Sequence, residues 1–115
     1  MNWASYADTI EDGSDVARKR EQVAFDYGLK MLTRLQDAGA SRYDRLEAML
    51  YMRRLWSFLI DDLGSPANEL PQELRSTLIS IGIWMIKESE HVAEGRLDHL
   101  EEMVAVMTAI RNGLE

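Results

Sequence analysis

The chain has 115 residues, 46% of them apolar and 29% charged, which suits one soluble domain able to bury its own core. It contains no cysteine, so disulfides, thiolate metal sites and cysteine nucleophiles are excluded. A formal charge of −7 argues against binding to duplexes and other polyanions, because phosphate contacts draw their affinity from Lys and Arg.

The opening stretch MNWASYADTIEDGSD has no basic head and no unbroken apolar core, so a secretion signal is not expected and the cytoplasm is the expected compartment. Within residues 1–13, Trp3, Tyr6 and Ile10 are spaced by three and four. This segment suits a short docking turn or helix, packed on the rest of the chain or on a partner. A first long helix is expected over residues 14–38, capped by Ser14 or Asp15 and stopped by Gly39. Its expected apolar stripe is Val16, Val23, Tyr27, Met31 and Leu35, widened by Phe25, Leu29 and Leu32. Arg18, Lys19 and Arg20 stand near its start, the unfavourable end for positive charge, and read as a solvated face.

A second helix is expected over 41–63 with Ser41 as its cap. Its apolar set is Leu46, Met49, Leu50, Leu55, Trp56, Leu59, Ile60 and Leu63. Arg53 and Arg54 precede Leu55 and Trp56, and Arg and Trp are the residue types that most often dominate interface energy. The same residues also fit a core tryptophan beneath surface charges. Both prolines, Pro66 and Pro71, lie in the connector GSPANELP, and Pro71 suits the first position of a third helix over 71–92.

That helix holds the most apolar stretch of the chain, LISIGIWMI. It is far too short for a membrane span of about 20 residues. Strand-like alternation fails at Trp84, Met85 and Ile86. At about 100° per residue, Leu74, Leu78, Ile81 and Met85 form one stripe, while Ile79, Ile83 and Ile86 form another on a different side. A helix with two apolar flanks needs two coverings. The second covering is either the chain's own first helix or tail, or a partner. On the partner reading, Ile79, Ile83 and Ile86, with Trp84 and Trp56 nearby and Arg53 and Arg54 at the edge, form a docking groove. A fourth helix is expected over 97–112, one-faced through Leu97, Leu100, Val104, Met107 and Ile110. The sum is a single all-α domain, a compact bundle of four main helices with room for a short N-terminal one.

Chemistry finds little support. Glu88 and His91 make a Glu-x-x-His spacing, but the second copy that a di-iron bundle needs is missing, since Arg96 stands three positions before His99. Asp61 and Asp62 project about 100° apart and do not converge on one ligand. No phosphate loop and no nucleophile–base set occurs in context. No metal, cofactor or catalytic residue is expected.

RRLWSFLIDDL at 53–63, SPANELPQELR at 65–75, LISIGIWMIKESE at 78–90 and MTAIRNGL at 107–114 together resemble the FlaF family of flagellar biosynthesis regulators. The resemblance runs over nearly the whole chain and implies a cytoplasmic bacterial protein without enzymatic activity or cofactor. It further implies a flagellin-binding secretion chaperone or regulator working alongside FlbT, a second candidate partner. The implied ligand is a terminal amphipathic helical segment of flagellin, suited to a groove between helices. Two other classes remain at this stage. One is an RNA-binding regulator of flagellin synthesis, using Arg18, Lys19, Arg20, Arg53 and Arg54. The other is a self-associating structural subunit.

Overall fold

The computed structural model describes residues 11–113, with side chains from Arg18 onward. The docking segment expected around Trp3, Tyr6 and Ile10 lies outside the described residues. Four helices make up the described chain: α1 Glu11–Arg34, α2 Arg42–Leu63, α3 Gln72–Ala93 and α4 Leu100–Gly113. Their ends follow local chemistry. The backbone of α1 is already helical at Glu11, so Ser14 and Asp15 stand inside it and do not cap it. It closes before the expected Ala38, because the amides of Leu35, Gln36 and Asp37 turn to carbonyls three residues back at 3.0–3.1 Å.

Ser41 caps α2 in a reciprocal box. The Asp44 amide donates to Ser41 Oγ at 3.1 Å, and the Ser41 amide donates to Asp44 Oδ2 at 2.9 Å. Pro71 sits one position earlier than expected, at the cap of α3, where its missing N–H costs nothing. At the other end, Gly95 has φ +89, the Gly95 amide reaches Val92 O, and the Arg96 amide reaches His91 O at 2.9 Å. This doubly bonded stop requires a left-handed residue, which is why glycine stands there. α4 starts three residues later than the pattern suggested, since Leu97–His99 form a turn.

The helices alternate in direction around a square. Tyr51 pairs with Ala24, Trp56 with Gly82, and Arg111 with Asp26, which sets α1 against α2, α2 against α3 and α4 against α1. The α2–α3 pairing is the most extensive, followed by α1–α4, and α3 and α4 touch least. The result is an elongated bundle of 46 × 25 × 19 Å.

The core runs along the bundle axis through Phe25, Leu32 and Leu35 of the α1 region, Met52 and Trp56 of α2, Met85 of α3, and Met103 and Met107 of α4. Trp56 is 1% exposed and meets Phe25 edge to face, with ring centroids 5.9 Å apart. Burial of that ring contributes about 5 kcal/mol before ordering costs. Gly82 gives it room: a Cβ there would stand 2.8 Å from the indole and 3.0 Å from Ile60. Several residues assigned to apolar stripes face solvent instead, Leu74 and Ile83 of α3 and Leu97 ahead of α4 among them. Val23 and Tyr27 of α1 and Leu50 of α2 are all exposed, because the core-facing side of α1 is centred on Gly28, one position round from Tyr27.

Candidate partner-binding site

The expected groove residues do not gather in one place. Trp56 is a core residue and lines no surface, which corrects its assignment to the docking site. Arg53 and Arg54 are exposed, and on a helix they project about 100° apart. Ile79 and Ile86 are half-buried on the flank of α3 that turns toward α2, with Ile86 packed against the core. Ile83, outside that flank, is 50% exposed. Trp84 lies half-buried on the opposite flank, facing α4. α3 itself therefore separates Trp84 from the three isoleucines.

An open groove does exist, on the Trp84 side. Thr77, Ser80, Ile81 and Trp84 of α3 face Glu102 and Val106 of α4 across a space of about 570 Å³. Its floor is apolar (Ile81, Trp84, Val106) and its rim polar. Helical spacing puts Thr77, Ser80, Ile81 and Trp84 on one side of α3, a pattern visible in the sequence. The contribution of Val106 was not, since it required knowing which face of α4 turns to α3.

One turn beyond Trp84, the groove ends at an ionic cluster. The buried Glu88 carboxylate lies 2.9 Å from His99 Nδ1 and 3.4 Å from His91 Nδ1 through the same oxygen. Burial pulls the Glu88 carboxyl upward, but the hydrogen bonds and charges of His99 and His91 outweigh it and hold the group below its ordinary value. The hydrogen bond to Glu88 raises His99 in turn, helped by the charge of Glu88 and by Glu102 and Asp98, against partial desolvation. The Glu88–His99 contact thus ties α3 to the turn ahead of α4, and His91, on α3 itself, meets the same oxygen. Among the described residues no group of three or more His, Asp or Glu side chains is arranged to hold a metal ion.

The outer seam of α1 and α2 carries a second constellation. Tyr27 and Tyr51 stack obliquely at 5.0 Å, and the Tyr51 hydroxyl donates to Ala24 O at 2.6 Å. Farther along, the Glu21 carboxyl is pushed up to about 8, first by burial and then by the charge of Asp62, with Arg18 opposing.

The described residues thus form a four-helix bundle with one loosely closed seam and an apolar groove along it. The family model for flagellar protein FlaF matches residues 3–114, and the chain belongs to that family. It is accordingly a flagellar protein. Comparison with curated proteins and with solved structures returned no match. No helix among the described residues is long and apolar enough to cross a membrane.

Proposed function

We propose that this flagellar protein is a cytoplasmic, non-enzymatic chaperone that holds a terminal amphipathic helical segment of flagellin before export. The single observation that carries the reading is the α3/α4 groove, where Ile81, Trp84 and Val106 stay open to solvent between the two helices that touch least. An incoming amphipathic helix would lay its apolar face on that floor and complete the seam as a further helix. Affinity would come from apolar burial, about 25 cal/mol per Å² before ordering costs. Trp84 supplies the rigid aromatic shelf that such sites favour. The polar rim of Thr77, Ser80 and Glu102 would fix orientation and keep the empty groove soluble.

Isothermal titration of the full-length chain with flagellin, intact and truncated at each terminus, tests the reading. Trp84→Glu and Val106→Glu are expected to weaken binding by about a hundredfold while melting cooperatively. Ile83→Glu, on the far flank of α3, is expected to bind within about twofold of the parent. Loss of binding in the Ile83 variant alone would move the site to the Ile83 side of α3 and overturn the groove assignment.

A further inference from the structure

We propose that the outer seam of α1 and α2 is a second docking surface, built for an acidic amphipathic helix of about four turns. Two series spaced by sevens face each other across it: Arg20, Tyr27 and Arg34 on α1, and Asp44, Tyr51 and Phe58 on α2. Seven residues are nearly two helical turns, so each series stays on one side of its helix. Two rungs fix the register. Arg34 Nε stands 3.7 Å from Asp44 Oδ1, and the Tyr27 and Tyr51 rings meet at 5.0 Å. The same register brings Arg20 level with Phe58, and here the cation has no acid opposite it. Arg54, one turn from both Tyr51 and Phe58, is likewise without an ion-pair or hydrogen-bond partner among the described residues.

Between these cations the surface is apolar. Val23 is 66% exposed, Tyr27 52% and Phe58 40%. Helices α1 and α2 pair less closely than α2 and α3, and these exposed side chains form the outer surface of their seam. The shape is preformed, since the Tyr51 hydroxyl is anchored to the α1 backbone and the Tyr27 ring rests on it. A ligand helix spanning Arg20 to Arg34 covers fifteen residues of α1, a rise of about 21 Å.

Charge decides the kind of occupant. Arg20 and Arg54, which have no acid partner among the described residues, favour a partner with a few carboxylates beside an apolar stripe. A polyanion would feel the repulsion of the whole molecule. The surface is separate from the α3/α4 groove, so the inference does not rest on the flagellin reading.

The test is fluorescence anisotropy of the full-length chain with a labelled four-turn helical peptide carrying leucines along one face and glutamates beside them. Its twin has lysines in place of the glutamates. The acidic peptide is expected to bind at least about tenfold tighter than the twin. Arg54→Glu, at an exposed site where folding is not at stake, is expected to reverse that preference. Val23→Asp is expected to weaken the acidic peptide, and Trp84→Glu to leave it unchanged. Equal or absent binding of the two peptides overturns the proposal, as does a Trp84→Glu variant that loses the acidic peptide. Two further results overturn it by naming another occupant. One is single-stranded oligouridylate binding that Arg54→Glu abolishes, and the other is concentration-dependent dimerisation in sedimentation that the same substitution abolishes.

Discussion

Glu21 is a carboxyl that the fold holds protonated at neutral pH, and that has a measurable cost. Its folded value of about 8 lies above the ordinary 4.5 because burial and the charge of Asp62 both disfavour ionisation. The folded chain therefore binds more protons than the unfolded one between these values. Stability from this group is fully present below about pH 4.5 and is lost as pH rises through about 8. Glu21→Gln keeps the shape and removes the titration. It is expected to raise stability by about 1 kcal/mol at pH 8.5 and to change little at pH 4.5, read from urea midpoints at the two pH values. An equal effect at both would show that the side chain is solvated. The two helical tryptophans illustrate the same dependence on surroundings. Trp56 and Trp84 both stand in apolar runs, yet one is enclosed beside Gly82 and the other forms a shelf beside Ser80. A run of apolar residues reports that burial is wanted; which flank is covered by the chain itself depends on neighbours far away in sequence.

At the scale of elements, two helical glycines look alike in sequence and differ in what surrounds them. A Cβ at Gly28 would approach Met52 Cε at 2.8 Å and Met107 Cε at 2.9 Å, the free ends of flexible side chains. A Cβ at Gly82 would meet the fixed indole of Trp56 at 2.8 Å and Ile60 at 3.0 Å. Alanine gains about 1 kcal/mol of helix propensity at either place. Gly28→Ala is therefore expected to be within about 1 kcal/mol of neutral, and Gly82→Ala to destabilise by about 1–3 kcal/mol through overpacking. Thermal melts of the two variants rank the effects, and a more stable Gly82→Ala would mean that α2 and α3 separate easily. The bounds of α2 and α3 were legible because local signals mark them: Ser41 with Asp44 starts α2, Pro71 stands ahead of α3 and Gly95 in a left-handed turn follows it. Of the expected α3 stripe Leu74, Leu78, Ile81 and Met85, only Met85 is fully buried; Leu74 is exposed and Ile81 floors the groove. The face of α1 was not legible. Val23, Tyr27 and Met31 obey helical spacing as well as Phe25 and Leu32 do, and only the positions of α2 and α4 decide which side is inside. The heptad of Arg20, Tyr27 and Arg34 reads as a surface series only once Asp44, Tyr51 and Phe58 are seen opposite.

Across the whole molecule, charge and packing divide along the same line. Residues 18–63 carry nine Lys and Arg against seven Asp and Glu, while residues 64–113 carry four against eight. The more acidic half also holds the looser seam, and its outer wall is α4. That helix is fastened at its two ends by different chemistry. Near its C-terminal end Arg111 Nε donates to Asp26 Oδ1 at 2.9 Å, reaching back to α1. At its start His99 meets Glu88 of α3 at 2.9 Å. The second fastening responds to pH. His99 is raised by its carboxylate partner, so its contribution is complete below about pH 6.5 and fades as pH rises through the raised value. Glu88 is lowered, so its contribution is present above about pH 4.5 and fades as pH falls through the lowered value. The latch is thus strongest between about pH 4.5 and 6.5 and loosens on the alkaline side. Hydrogen exchange is expected to show it: the amides of Val104, Ala105 and Val106, corrected for intrinsic rates, lose protection from pH 6 to pH 8.5, and those of α2 do so much less. His99→Gln should remove the difference by giving the looser behaviour at both pH values. If the parent chain protects these amides equally at pH 6 and pH 8.5, the His99–Glu88 contact does not hold α4, and the width of the groove is set by apolar packing alone.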